Sequence, residues 1–195
     1  MKLLRVGEKG KEKPAILDGD GKIRDISSHV SDLNPHNLNF ETISKIQSVD
    51  TSNLPEISSD QRVGSCITSP GKFVAIGLNY SDHAAEVGAD IPKEPIMFMK
   101  ATSSMCGPND DVEIVSGSKK LDWEVELGIV IGKEAKHISE DQSQDHILGY
   151  CLVNDVSERE WQIEKMGQWV KGKSHDTYGP TGPYLVTKDE IKDIN

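Results

Sequence analysis

Three carboxylates alternate with apolar residues in the stretch KLDWEVELGIVIG, residues 120–132. A β-strand would place Asp122, Glu124 and Glu126 on one face, because successive side chains of a strand point to opposite sides of the sheet. Unit charges about 4 Å apart repel each other by roughly 4 kcal/mol at an effective dielectric near 20, and a bound cation would relieve that repulsion. The alternative is a solvated strand face, which is common in antiparallel sheets. This segment alone does not separate the two.

A further acidic residue favours the cation. Asp155 follows the apolar run GYCLVN, which predicts a strand, so Asp155 would lie at a strand end. Glu124, Glu126 and Asp155 would offer hard oxygen ligands, which suit Mg²⁺, Mn²⁺ or Ca²⁺, whereas structural zinc prefers cysteine and histidine. We therefore predict a divalent metal at these three residues. The opposite face of the first strand is expected to supply core packing through its apolar residues, Trp123, Val125 and Leu127.

A histidine and a glutamate three residues apart, His83 and Glu86, lie in the stretch NYSDHAAE. On a helical turn they would share a face and could form a hydrogen bond. A carboxylate beside an imidazole orients the ring and raises its basicity, as a general base requires. A surface His–Glu pair is the alternative. The position directly after a predicted strand and a Gly-Leu-Asn turn favours catalysis, because loops that follow strands often display catalytic residues.

Positive charge near these acids would help to hold an anionic substrate. Lys100 follows the apolar run IMFM, and Lys173 lies in the stretch KGKSHDT. For each of them, a solvated lysine is the alternative interpretation. The predicted substrate-binding set consists of Lys100, Arg159 and Tyr80.

The first 65 residues predict a small α+β domain. Residues 3–26 have the pattern of a hairpin around the turn DGDG, and residues 38–48 carry apolar residues at helical spacing. The polar stretch at residues 50–62 contains Pro55 and predicts a linker. We place the domain boundary near residue 65.

The second predicted domain, residues 66–195, contains many strands and few short helices. Apolar runs predict strands, the first of them buried, at residues 71–80, 95–100, 111–115, 123–132 and 149–157, and a Gly/Pro turn precedes another strand within 178–187. Helices are predicted at residues 81–89, 139–147 with Ser139 as N-cap, and 158–167. Because strands and helices do not alternate regularly, this pattern predicts a β-rich α+β fold and not a doubly wound sheet.

Composition limits the class of protein. Hydrophobic residues make up 35% of the 195 residues, enough for a core, and the formal net charge is −10. An acidic chain lacks the basic footprint that nucleic acid or an anionic membrane requires. The N-terminus lacks the apolar region of a signal peptide, no segment has the apolar length of a membrane span, and three distant cysteines fit a reducing compartment. We expect a cytoplasmic protein.

Five motifs in order resemble the fumarylacetoacetate hydrolase family over residues 70–187. They are AIGLNYSDHAAE, EPIMFMKATSSMCGPNDDVEI, DWEVELGIVIG, GYCLVNDVSER and GQWVKGKSHDTYGPTGPYLVT. One such motif is weak evidence, but five in the same order and spacing are strong. The leading hairpin domain resembles the small first domain of the family's longer bacterial members. The resemblance implies a mixed β-sheet roll and a homodimer.

The resemblance also implies roles for the candidate residues. It assigns the metal to the three carboxylates named above and water activation to His83 with Glu86. It assigns polarisation of a substrate oxygen to Lys173, while Asp122 would support the site without binding the metal. The motif sequences are most similar to those of bacterial hydrolases of 2,4-diketo-3-deoxy sugar acids and of proteins labelled ureidoglycolate lyase.

The predicted reaction is metal-assisted hydrolysis of a C–C bond in a small anionic 2,4-dicarbonyl acid, in sugar-acid or aromatic catabolism. Ureidoglycolate cleavage, decarboxylation and isomerisation could use the same site and stay open. The family's catalytic domain continues past TKDEIKDIN with further strands, including a Gly-Thr-Pro segment, so the second domain is expected to be C-terminally incomplete. An inactive truncated fragment is therefore the alternative from another functional class.

Overall fold

The computed structural model describes residues 1–193 and is rich in strands, with few helices. The strands are β1 (Lys2–Val6), β2 (Lys13–Leu17), β3 (Ile23–Asp25), β4 (Glu56–Ile57), β5 (Val74–Gly77), β6 (Ile96–Met99), β7 (Met105–Cys106), β8 (Leu121–Asp122), β9 (Val125–Ile131), β10 (Ile147–Asn154), β11 (Ser157–Glu158), β12 (Gly179–Pro180) and β13 (Leu185–Thr187). The helices are α1 (Phe40–Gln47), α2 (Ser81–Glu86) and α3 (Val170–Lys173), with 3₁₀ turns at Thr51–Asn53, Thr102–Ser104, Glu140–His146 and Lys188–Glu190 and a π-helical turn at Glu160–Glu164. The predicted β-rich α+β class is confirmed.

Seven strands form one antiparallel sheet in the order β4-β3-β2-β1-β13-β10-β9. Its centre is β1, where Leu3 lies opposite Ile16 of β2 on one side and Leu185 of β13 on the other. Leu3 and Leu185 are fully buried in one core cluster that also contains Val130 and Cys151. The early and late parts of the chain therefore share a sheet and a core, and the boundary near residue 65 stays a prediction.

The N-terminal elements match most of what the sequence predicts. The turn between β2 and β3 is closed by the Asp18 side chain, which accepts from the backbone N–H of Asp20 and of Lys22 at 2.9 Å. Helix α1 begins after Asn39, whose side chain accepts from the Thr42 N–H at 2.9 Å. The predicted linker is wrong in part, because Glu56–Ile57 pairs with β3 as strand β4.

Two of the strands predicted in the second part of the chain, at residues 111–115 and 71–80, differ from the prediction. Residues 111–115 form no strand, because the Glu113 N–H donates to Thr177 Oγ1 at 2.8 Å and not to a neighbouring strand. Strand β5 forms as predicted but is not buried, since Val74 is 44% exposed and Ile76 is 38% exposed. The neighbouring helix α2 and the 3₁₀ turn capped by Ser139 agree with the sequence.

The two faces of the carboxylate strand are reversed relative to the prediction. Trp123, Val125 and Leu127 are 76%, 71% and 44% exposed, so they do not pack into a core formed by the described residues. The strand also breaks: β8 pairs with β11, while β9 pairs with β10 and forms the outer edge of the large sheet. As a result, the carboxylate side of β9 faces the protein and the apolar side faces outward.

None of the helices formed by residues 1–193 has the length and apolar character needed to cross a membrane. The three cysteines are free and buried.

Candidate active site

The strand pair β9–β10 brings the three predicted metal ligands together. Val153 lies opposite Glu126 in the ladder, and just beyond its end the Asp155 N–H donates to the Glu124 carbonyl at 2.9 Å. The Glu124 N–H in turn donates to Asn154 Oδ1 at 3.1 Å. One carboxylate oxygen from each of Glu124, Glu126 and Asp155 consequently lies within 4.8 Å of the other two.

Two cations partly neutralise this cluster. Lys173, at the end of α3 and 2% exposed, donates from Nζ to Glu124 Oε2 at 2.9 Å and to Asp155 Oδ2 at 2.8 Å. Arg159, which follows β11, donates to Glu124 and reaches Asp122 Oδ2 through Nε at 2.9 Å and Nη2 at 2.8 Å. Asp122 therefore contacts the cluster through Arg159.

Glu126 is the exception. Within residues 1–193 it has no hydrogen-bond or ion-pair partner. Burial, followed by the negative charges of Glu124 and Asp155, raises the pKa of Glu126 to about 7. A half-buried carboxylate with two acidic neighbours and no partner fits a divalent cation, because hard oxygen donors are the ligands such ions prefer.

Lys100 lies behind the cluster, at the end of β6. Its side chain is 1% exposed and donates to Asp155 Oδ1 at 2.6 Å, to the Val156 carbonyl at 3.3 Å and to the Lys173 carbonyl. Burial lowers the pKa of Lys100, and the charge of Asp155 opposes that shift. Lys100 lines a largely apolar cavity of about 750 Å³, whose walls also include Glu126 and Asp155.

The His–Glu pair is displayed on α2, directly after β5 and Leu78, whose φ is 51°. His83 Nδ1 lies 3.8 Å from Glu86 Oε2, which is longer than a hydrogen bond. Tyr80, just before the helix, accepts from the Leu127 N–H at 3.4 Å through its hydroxyl oxygen, and this contact ties α2 to β9.

A cleft of about 1280 Å³ joins these groups. Its walls include eight of the nine predicted site residues: Tyr80, His83, Glu86, Glu124, Glu126, Asp155, Arg159 and Lys173. Lys100 is the ninth and does not line this cleft. The arrangement unites the predicted metal ligands, base and lysine at one surface.

The cleft also has walls that the sequence did not predict. Trp169 packs edge-on against Phe98 with ring centroids 5.3 Å apart, and Lys173 Nζ lies 5.2 Å from the Phe98 ring centroid. A Cβ at Gly77 would lie 2.6 Å from the Trp169 ring, so any other residue at this position would displace the ring. Gln162 accepts from Arg159 Nη1 at 3.0 Å. Its spacing of three residues from Arg159, one helical turn, was the available signal.

We call seven residues the site network: Asp122, Glu124, Glu126, Asp155, Lys100, Lys173 and Arg159. Four carboxylates and three cations give it a formal charge of −1. A bound divalent ion would change this to about +1, which would attract an anionic substrate.

The C-terminal domain model of the fumarylacetoacetate hydrolase family matches residues 72–195. The chain belongs to this family. A protein of Burkholderia lata with a provisional hydrolase name is 56% identical over 193 residues, spanning 99% of this chain and 68% of the relative. The recognition of the fumarylacetoacetate hydrolase family from the sequence motifs is confirmed.

Solved structures place the fold in the same family. Fumarylacetoacetate hydrolase from Exiguobacterium antarcticum is 30% identical, with a TM-score of 0.83 over 98% of this chain and 68% of that one. The 5-carboxymethyl-2-hydroxymuconate delta-isomerase of Mycobacterium smegmatis is 30% identical, with a TM-score of 0.70 over 96% of this chain and 66% of that one. The predicted fumarylacetoacetate hydrolase fold is confirmed, and the family and its named members support an enzyme.

Proposed function

We propose that the chain is a divalent-metal-dependent hydrolase that cleaves a C–C bond in a small anionic 2,4-dicarbonyl acid of sugar-acid or aromatic breakdown. The observation that carries the proposal is the cluster of Glu124, Glu126 and Asp155, whose ligand oxygens lie within 4.8 Å of one another in a cleft shared with His83 and Lys173. An Mg²⁺, Mn²⁺ or Ca²⁺ ion held by these carboxylates would act as a Lewis acid toward two carbonyl oxygens.

In this proposal His83 is the general base. It would take the proton of the attacking water, with Glu86 one helical turn away to orient the ring. The 3.8 Å separation of the pair is compatible with this role, because catalytic hydrogen bonds are often long before substrate binds.

Lys173 would stabilise the charge that develops on the substrate. The water oxygen would bond to one carbonyl carbon; as the adjacent C–C bond breaks, its electron pair would move toward the oxygen of the other carbonyl, and the proton taken by His83 would then return to the released carbon. A buried ammonium held in place by Glu124 and Asp155 is already oriented and needs no reorganisation during the reaction. Arg159 and Tyr80 would hold the substrate carboxylate and carbon chain at the mouth of the cleft.

Isomerisation is the second candidate, and the M. smegmatis isomerase at 30% identity favours it. Ureidoglycolate cleavage and decarboxylation would use the same ligands. An isomerase, unlike a hydrolase, incorporates no water into its product. Mass spectrometry of products formed in ¹⁸O-labelled water therefore separates the two.

We also propose that the chain forms a homodimer and that it acts in the cytoplasm. Sedimentation velocity of the purified chain measures the assembly, and a monomer at micromolar concentration would contradict it.

The test of the proposal is calorimetric titration of Mn²⁺ into the Glu124→Ala variant. Loss of a residue that hydrogen-bonds to a metal ligand typically weakens metal binding by about 10–100-fold. Loss of a ligand itself should weaken Mn²⁺ binding by more than this. Glu134→Ala is the matched control, because Glu134 is an exposed glutamate beyond the end of β9. Undiminished binding by Glu124→Ala would place the metal elsewhere and overturn the proposal.

A further inference from the structure

Lys100 is a buried cation whose hydrogen bonds are all used by the protein. An ammonium has three N–H donors, and the Lys100 Nζ has three acceptors: Asp155 Oδ1, the Val156 carbonyl and the Lys173 carbonyl. With a side chain 1% exposed, it has no donor left to offer to a molecule in the cleft.

These acceptors belong to two separate segments that both carry site groups. Asp155 and Val156 follow β10, whereas Lys173 ends α3. Lys100, Asp155 and Lys173 therefore form a ring of hydrogen bonds. Lys100 donates to one carboxylate oxygen of Asp155 and to the backbone carbonyl of Lys173, and the Lys173 side chain donates to the other carboxylate oxygen of Asp155.

The segment held by Lys100 has little stability of its own. Helix α3 is four residues long, far below the length at which a helix is stable without tertiary contacts. A cation bonded to a carbonyl at its C-terminal end is favourable for the helix. The next residue reinforces the contact, since the Ala101 N–H donates to Ser174 Oγ at 2.8 Å.

We propose that Lys100 is a positioning residue, which orients the carboxylate of Asp155 toward the metal position and fixes the backbone from which the Lys173 side chain extends. The inference rests on the proposed function, because that function assigns Asp155 as a metal ligand. It replaces the sequence-based assignment of Lys100 to substrate binding with a role that acts through two other residues.

Mn²⁺ affinity tests this inference, because the charge of Lys100 and its positioning role predict changes in affinity of opposite sign when Lys100 is replaced. By charge alone, a cation beside the site repels a metal ion, so its removal in Lys100→Met would tighten binding. By position, its removal frees Asp155 and should weaken binding by about 10–100-fold, as loss of an outer partner of a ligand typically does. The structure therefore predicts weaker binding despite the loss of a positive charge.

The matched control is Lys93→Met, since Lys93 is exposed on the segment before β6 and its substitution removes the same charge. Mn²⁺ affinity should be unchanged in this variant. The electron paramagnetic resonance line shape of bound Mn²⁺ should change in Lys100→Met and stay as in the parent protein in Lys93→Met. Tighter or unchanged Mn²⁺ binding by Lys100→Met would overturn the inference. So would a raised KM with unchanged metal affinity, which would return Lys100 to substrate binding.

Lys100→Gln covers the case in which Lys100→Met does not fold. Its amide N–H groups can keep part of the contact, so its Mn²⁺ affinity should lie below that of the parent protein, and parental affinity would overturn the inference. The Glu124→Ala titration separates this failure from failure of the proposed function. Loss of binding in Glu124→Ala with parental binding in both Lys100 variants would reject only the role of Lys100.

Discussion

Two ionic clusters in this molecule carry the same formal charge but distribute it differently. The first, which we call the N-terminal network, consists of Arg5, Glu12, Asp32, Arg62 and Asp110, with a formal charge of −1. Arg62 donates to Glu12 Oε1 at 2.8 Å and twice to Asp110 at 2.6 Å, and Arg5 pairs with Asp32 at 2.6 Å and with Glu12 at 3.4 Å. Each carboxylate of this network thus contacts a guanidinium.

The pKa values follow this pairing. The hydrogen bond from Arg62 is the largest cause that lowers the pKa of Asp110. Burial alone would raise the pKa of Glu12, but hydrogen bonds and the charges of Arg62 and Arg5 outweigh it and lower the value. In the site network, by contrast, Glu126 has no partner among residues 1–193, and its pKa is raised to about 7.

The difference shows how to separate a structural ion cluster from a candidate site. Net charge does not distinguish the two, since both sum to −1. The carboxylate without a partner, Glu126, distinguishes them, because a half-buried charge without a partner costs stability and is retained where it has another use.

The largest expected effect is on turnover. It tests whether catalysis depends on a residue of the cleft and not on a residue of the N-terminal part. His83→Ala should lower kcat by about 10²–10⁴-fold, the usual cost of removing a general base, while Mn²⁺ binding stays close to parental. The measurement is steady-state hydrolysis of an acylpyruvate at saturating Mg²⁺. His29→Ala is the control, because His29 is an exposed histidine of the N-terminal part. Unchanged turnover in His83→Ala, with activity still dependent on Glu124, would favour a reaction that needs no water activation.

Removal of one cation from the N-terminal network should give the next largest effect. Arg62→Met leaves Glu12 and Asp110 with fewer partners, and we expect the free energy of unfolding in urea to fall by about 2 kcal/mol. This is less than the about 3–5 kcal/mol for a fully buried pair, because the Arg62 side chain is 28% exposed. Lys11→Met, which breaks an ion pair 78% and 80% exposed, should cost less than about 1 kcal/mol. Equal losses in the two variants would mean that the N-terminal network adds nothing beyond surface pairs.

Neutralising one glutamate in each cluster should change stability in opposite directions. In chelator-treated protein, Glu12→Gln should lower the melting temperature because it loses two guanidinium contacts. Glu126→Gln should raise the melting temperature, because it relieves repulsion from Glu124 and Asp155; the gain in the free energy of unfolding should be about 1 kcal/mol after allowance for solvent screening. A stabilised Glu12→Gln or a destabilised Glu126→Gln would contradict the comparison.

The smallest expected effect is in acid. A carboxylate with a lowered pKa contributes stability above its unfolded value, here about 3.8 for Asp110 and 4.5 for Glu12, and loses it as the pH falls through the lower folded value. The urea midpoint of the parent protein should therefore fall more steeply below pH about 4 than that of Arg62→Met. Parallel curves for the two proteins would show that Arg62 does not hold these acids ionised.

Local patterns in the sequence predicted much of the fold and of the site. The hairpin turn, α1, α2, β9 and β10 follow from turn residues and apolar periodicity, and the cleft contains eight of the nine predicted site residues. Alternation of residues along a strand shows that its two faces differ, but it does not show which face packs inward. The direction of the Trp123, Val125 and Leu127 face was therefore predicted wrongly. Pairing between distant segments, such as β1 with β13 or Glu113 with Thr177, has no local signal.

The outer edge of the large sheet has a consequence for concentrated solutions of this chain. Among residues 1–193, strand β9 has a neighbouring strand of the large sheet on one side only and carries exposed Val125, Leu127, Ile129 and Ile131, a combination that favours strand-to-strand association between molecules. The formal charge of −10 opposes such encounters, but salt shortens the range of that repulsion to about 8 Å at physiological ionic strength. We therefore expect association between molecules through β9 to increase with salt concentration: charge repulsion opposes it in dilute buffer, and added salt screens that repulsion.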